Sequence, residues 1–268
     1  MLVRFYRQNY LFNILRTVTA TRYVTPLREG GSLPAIIEAD DDGLYVLKFR
    51  GAGQGVKALI AELIAGEIAR AIGLLVPEIV FVNLDAGLAR TEGDPEIQDL
   101  IKNSDGLNLA LDYLPGSVVF NPVADRVDEK LASSIVWFDS YVSNVDRTIR
   151  NTNMLMWHKR LWLIDHGASL YFHHTWINYL EKSHEPFLMI KDHVLINYAK
   201  KLKEIDKEFS AEITPDVLRN IVNLIPDSWL TENQIFKSSI EQRNAYCEYL
   251  IKRLEPPRLF IKEIINGK

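Results

Sequence analysis

The sequence predicts an α+β chain of two lobes, a β-rich one over residues 1–112 and a mainly helical one over 113–268. Three observations carry this. Thr-, Val- and Tyr-rich segments separated by turn signals fill the first 50 residues. Apolar residues recur at helical spacing through 128–142 and most of 188–268. Between them, 144–167 sets acids and amides around a short alternating hairpin. Each half is long enough to bury a core of its own.

Taken in order, 18–27 is the first expected strand, Gly30-Gly31-Ser32 a turn, and the apolar run 34–38 the second strand. Asp40-Asp-Asp-Gly43 turns the chain into the alternating segment 44–50. Gly51-Ala-Gly-Gln-Gly55 is a loop. One helix follows near 57–73, ended by Gly73 and by Pro77 beyond it. Residues 78–84 form a strand, the acidic 91–96 a loop, and 107–114 a strand ending at Pro115-Gly116, so the lobes should meet near 112–117. The helices of the second half should break at Pro215, Pro226 and Pro256-Pro257. Residues 1–16 are interrupted by Arg4, Arg7 and Arg16 and are expected to be a short docking strand or helix, not a targeting signal.

Composition narrows the partners. The chain is 47% hydrophobic and 25% charged, with a net charge of −4, so no nucleic-acid contact is expected. No apolar stretch reaches membrane-spanning length, and no membrane association is expected. The single cysteine, Cys247, excludes an intrachain disulfide and fits a reducing cytoplasm; its helical surroundings suit a structural thiol. His158, His166, His173, His174, His184 and His193 form no His-x-x-x-His face, so zinc is not expected, and they are read as solvated or locally hydrogen-bonded. Gly51–Gly55 misses the dinucleotide fingerprint, because Val56 stands where its last glycine is required.

The informative stretch is 144–167. Asp146 is followed five residues later by Asn151; the hairpin 154–164 then delivers Asp165 directly before His166-Gly167. That spacing matches a kinase catalytic loop (144–155) followed by its metal-binding Asp-x-Gly turn (165–167). One carboxylate accepts or orients a hydroxyl proton. An amide and a second carboxylate hold Mg²⁺ against ATP phosphates, and that cation needs few protein ligands because it keeps several waters. Such a site requires an upstream cation, and Lys48 supplies one on the strand 44–50. A lysine in an apolar strand is costly to bury unpaired. Glu62, in the first half of the following helix, is its expected partner, and Glu67 is expected to be exposed. A two-lobed protein-kinase-like fold accommodates all of these.

With Lys48, Glu62, Asp146, Asn151 and Asp165 in this order, the chain resembles the HipA-like kinase family. The resemblance covers roughly 17–195 and is most specific in Asn144-Val-Asp-Arg-Thr148 and Leu163-Ile-Asp-His-Gly167. It implies an ATP- and Mg²⁺-dependent phosphotransferase, of serine/threonine protein-kinase type. A small-molecule kinase of the same fold and a non-catalytic nucleotide-binding regulator are the alternatives. Carried over, Lys48 binds ATP phosphates, Asp146 is the catalytic acid, and Asn151 and Asp165 hold the metal. Gly30 and Gly31, in the loop that covers phosphates in kinase folds, and Asp112 at the lobe junction complete the nucleotide-contacting set, and Ser32 is a candidate phosphorylation site. Two departures stand out. Thr148 occupies the position where many such kinases carry a lysine, leaving Arg147 or Arg150 to supply the charge, and His166 replaces the usual phenylalanine of the metal turn.

Overall fold

Alternation in the first strands is realised as a barrel in the computed structural model, which describes residues 15–27, 33–53, 55–230 and 235–266. Strand β1 (Thr17–Pro26) pairs antiparallel with β2 (Ala35–Ala39), and β2 with β3 (Leu44–Lys48). Strand β4 (Ile79–Leu84) pairs antiparallel with β5 (Gly106–Asp112), and β5 with β3. A short parallel register, Thr17 opposite Phe81, joins β1 to β4 and closes the five strands. Tyr45, Leu47 and Phe49 point into the barrel with Ile37, Val80, Val82 and Ala110. Because side chains alternate along a strand, Lys48 points outward. Gly30, Gly31 and Ser32 lie outside the described residues, as does all but the end of the expected N-terminal docking segment.

Helix α1 (Val56–Ala71) covers the outer face of β4 and β5, with Leu63, Ile64, Ile79, Phe81, Leu109 and Leu111 in one core. It is apolar around most of its circumference, and its residues from Leu59 to Ala69 are all buried. Glu67 is therefore buried, at 7% exposure, and the expectation that it is exposed is corrected. Burial, with Glu78 nearby, pushes its carboxyl up to about 7, and the Arg70 guanidinium at 3.5 Å does not offset this. Between the ordinary value of 4.5 and about 7 the folded chain holds a proton that the unfolded chain has released. The associated stability is complete below the unfolded value and is lost as pH rises through 7. Glu67→Gln is thus expected to stabilise more at pH 8 than at pH 5, by about 2 kcal/mol. Urea titrations at both pH values check this, and an equal effect at the two would contradict it.

The expected loop at 91–96 is corrected as well. It runs into helix α2 (Pro95–Asn103), which starts with Pro95 in its first turn and Asp94 as its cap, the carboxylate accepting from the Glu96 N–H at 3.0 Å.

In the second half, helix α3 (Glu129–Val142) is capped by Asp128 and buried from Ala132 to Val142. Trp137 and Tyr141 stack within it, and Phe209 and Phe260 pack on Trp137 edge-on. Ser143, in the left-handed region at φ 56°, ends the helix and releases the chain into the loop at Asp146. Strands β6 (Val118–Val119), β7 (Met154–Trp157) and β8 (Arg160–Leu163) form a small antiparallel sheet. Helices α4 (Leu202–Glu212), α5 (Pro215–Val222), α6 (Ser239–Leu254) and α7 (Leu259–Asn266) complete the chain. The prolines act as expected. Pro215 opens α5, and Pro256-Pro257 separate α6 from α7. Trp229 ties this half to the barrel, its ring edge-on to Phe81 and its N–H donating to the Leu107 carbonyl at 3.2 Å. Among the described residues no helix is long and apolar enough to cross a membrane.

Candidate active site

Outward-pointing Lys48 meets two carboxylates. Its ammonium lies 2.5 Å from Glu62 Oε2 and 2.5 Å from Asp165 Oδ1, which brings together β3, α1 and the turn after β8. The lysine side chain is 13% exposed and that of Glu62 not at all, so the pair is desolvated while Asp165, at 42%, still opens to solvent. Burial alone would lower the lysine, but Glu62 and Asp165 outweigh it and hold the ammonium above its ordinary range. Burial alone would likewise raise Glu62; Lys48, with help from His166, keeps it ionised and below the usual carboxylate range. Lys48 is therefore no strand-surface cation, and deleting it strands a buried charge.

Asp165 is held in the left-handed region, at φ 56°, a conformation that aspartate tolerates better than most residues. The turn is fastened on both sides. Leu163 N–H donates to the Leu75 carbonyl at 2.8 Å, and Ile164 N–H to Asn153 O at 3.1 Å. His166 is fully buried; its backbone N–H donates to Glu62 Oε2 at 2.9 Å and its Nδ1 lies 3.1 Å from Oε1.

The catalytic-loop candidates form a second group joined to this turn. Asp146 Oδ2 accepts from Asn151 Nδ2 at 2.9 Å and Asn153 Nδ2 at 3.3 Å, and the Asp146 carbonyl accepts from Asn153 Nδ2 at 2.9 Å. Asn153 thus bridges Asp146 to the hairpin that ends at Asp165. Its role was not apparent in the sequence, although its φ of 46° suits an asparagine.

Beneath the loop lies a buried anchor. Asp139 on α3 accepts from Asn144 Nδ2 at 2.9 Å, Arg147 Nε at 2.6 Å and His193 Nε2 at 2.8 Å. Leu195 N–H donates to His193 Nδ1 at 3.0 Å, so the ring proton sits on Nε2, facing Asp139. Burial lowers His193, consistent with this neutral form. Burial alone would raise Asp139, but Arg147 and His193 hold it well below the usual carboxylate range. The Arg147 side chain is fully buried and also donates to the Asn153 carbonyl. As a candidate for the charge that Thr148 lacks, Arg147 is corrected: it points into the core, and exposed Arg150 is the remaining loop cation.

Asp112 is not brought to this group. It ends β5 opposite Tyr45, on the strand face of Ala110 and not that of Leu109, which pairs with Lys48. Burial and Glu78 raise its carboxyl, and its other charged neighbours are Arg16 and Asp41. Among the histidines, the solvated reading is corrected for His166, His173 and His193, while the hydrogen-bonded one holds. All three are buried, bonded to Glu62, Tyr246 and Asp139. Cys247 is half-buried with Sγ 3.9 Å from the Leu218 carbonyl, and burial raises its thiol, as suits a structural residue.

Among the described residues no three His, Cys, Asp or Glu side chains gather as a metal site. A two-ligand cation is still accommodated. Asn151 donates through Nδ2, leaving its oxygen available, and Asp165 is partly exposed, so both present hard oxygen donors of the kind Mg²⁺ prefers.

A family model described as HipA-like kinase matches residues 21–261. No curated protein matches the sequence. Among solved structures, the Helicobacter pylori proinflammatory kinase CtkA is similar over 94% of this chain and 99% of its own, at 11% identity and a TM-score of 0.51. At that identity the likeness shows the fold alone, an α+β fold of kinase type. The Golgi casein kinase with Mn/ADP bound is similar over 96% of this chain and 77% of its own, at 10% identity and a TM-score of 0.45.

Proposed function

The chain belongs to the HipA-like kinase family, and on that premise we propose that it is an ATP- and Mg²⁺-dependent phosphotransferase acting on serine or threonine hydroxyls of a protein. One observation carries the reading: Lys48 gathered with Glu62 and Asp165, beside a loop whose Asp146 and Asn151 are hydrogen-bonded to each other. Residues 1–112, which include the barrel and α1, act as the nucleotide-covering lobe, and 113–268 as the lobe bearing the catalytic loop. Its single cysteine suits a reducing cytoplasm, the compartment we propose for it.

In this reading Lys48 turns its ammonium from Asp165 to the phosphates, with Glu62 fixing its direction. Asn151 Oδ1 and the Asp165 carboxylate would hold Mg²⁺, which neutralises phosphate charge when bound. Asp146 orients the acceptor hydroxyl. Its Oδ2 is engaged by Asn151 and Asn153, which leaves Oδ1 for the substrate. As the acceptor oxygen bonds to the γ-phosphorus, the bond from that phosphorus to the bridging oxygen breaks and ADP departs. The hydroxyl proton passes to Asp146.

The test is transfer of label from γ-³²P ATP to protein in a bacterial lysate, with phosphoserine and phosphothreonine analysis. ATP binding without transfer to any acceptor would leave a nucleotide-binding regulator; label confined to small molecules would replace the acceptor class. A linked prediction concerns Lys48→Ala. It is expected to weaken ATP binding and cut turnover by about 10², followed by calorimetry and ADP release. Because the substitution strands Glu62, adding Glu62→Gln should recover thermal stability without recovering turnover. Parental turnover in either variant would remove Lys48 from the site.

A further inference from the structure

The histidine of the metal turn is built into the lysine–glutamate pair. His166 contacts Phe138 edge-on, with ring centroids 5.7 Å apart, and meets Glu62 through both its backbone N–H and its ring. Glu62 is held ionised and takes Lys48 on Oε2, so it can only accept from the imidazole. The ring proton therefore sits on Nδ1. Nε2 is left buried with no partner. A phenylalanine here would fill the space yet leave Oε1 without its donor. One carboxylate thus receives a lysine from β3 and two donors from the turn that bears Asp165. Nothing in the phosphotransfer chemistry requires the second of these donors.

We propose that His166 is a positioning residue that fastens Glu62, and through it Lys48, to the turn bearing Asp165, so that the phosphate-binding cation and the metal-binding carboxylate come into register as one unit. The proposal rests on the phosphotransferase reading above. Loss of the imidazole link leaves the Glu62 carboxylate tied to the turn through the His166 backbone N–H and through Lys48. Lys48 is then less well aimed, and the deficit falls on ATP affinity and turnover together.

Two substitutions separate this role from packing. His166→Phe keeps an aromatic ring and removes the donor. His166→Asn shrinks the side chain but keeps an N–H near the position of Nδ1. His166→Phe is expected to lower kcat about 10-fold and to raise the KM for ATP. His166→Asn should stay within about 3-fold of the parent chain on both. Combined with Glu62→Gln, His166→Phe should cost no more than about 3-fold beyond the poorer single variant, since both open the same junction. In the resting chain, ¹⁵N NMR should show His166 as the Nδ1–H tautomer. Parental kinetics in His166→Phe, an Asn variant as impaired as the Phe variant, fully multiplicative losses, or an Nε2–H tautomer would each overturn the proposal. Should His166→Phe fail to fold by circular dichroism, the Asn variant and the tautomer decide. Absence of phosphate transfer by the parent chain would instead count against the phosphotransferase reading, and the tautomer with the Mg-ADP affinities of the variants would then judge the junction.

Discussion

Asp146→Asn is expected to leave Mg-ATP affinity within about 3-fold of the parent chain while turnover falls by about 10² or more, the scale of a lost general base. The geometry makes this substitution clean. Asp146 Oδ2 accepts from the amides of Asn151 and Asn153, and an asparagine oxygen can take over both bonds. The loop then keeps its shape and loses only the carboxylate to which the proposed function assigns the acceptor hydroxyl and its proton. Asp165→Asn should behave differently. It removes an anion that Lys48 contacts and, on the proposed reading, a hard ligand for Mg²⁺, so nucleotide binding and turnover should fall together. Calorimetry measures the first quantity and ADP release the second, with circular dichroism confirming folding. Full turnover in Asp146→Asn, or loss of binding as severe as in Asp165→Asn, would contradict the assignment of this loop.

The second large effect is on stability. Arg147→Met is expected to cost about 3–5 kcal/mol, because it leaves the Asp139 carboxylate ionised and buried with its cation gone. The Asn153 carbonyl loses a donor at the same time, which loosens the bridge from Asp146 to the hairpin. Arg150→Met, three residues along on the exposed side of the loop, should stay within about 0.5 kcal/mol of the parent. Its turnover should nonetheless drop if, as proposed for this loop, Arg150 supplies the charge that Thr148 lacks. Urea unfolding of the two variants checks the contrast. Equal stabilities would mean that the Asp139 anchor does not hold the loop.

Short-range signals carried well for the fold: the hairpin from Met154 to Leu163 alternates with period 2, and the loop before it joins Asn151 to Asp146 by a hydrogen bond. The pairing of Lys48 with Glu62 was also within reach, since a strand lysine in apolar surroundings needs an acid and the next helix offers one in its first half. What escaped was set by contacts distant in sequence. Arg147 adjoins Asp146, yet its direction is decided by Asp139 on α3 and by His193, which no local pattern connects. Barrel closure depends on a parallel pairing of β1 with β4 across an intervening hairpin and helix. Glu67 looked like the polar face of a helix, but α1 is enclosed on nearly every side. Helix α2 was recoverable, because Asp94-Pro95 is a cap followed by a first-turn proline; the acidic residues around it suggested a loop instead.

The central claim is that one site gathers nucleotide phosphates, metal and acceptor around Lys48, Asp146, Asn151 and Asp165. A crystal structure with Mg²⁺ and a non-hydrolysable ATP analogue tests it most directly. The account predicts that Lys48 leaves Asp165 for a phosphate oxygen while keeping Glu62, that Asn151 Oδ1 and Asp165 ligate the metal, and that Asp146 faces the γ-phosphate. Nucleotide bound elsewhere, or bound here with Lys48 still paired to Asp165 and the metal held by other residues, would contradict it.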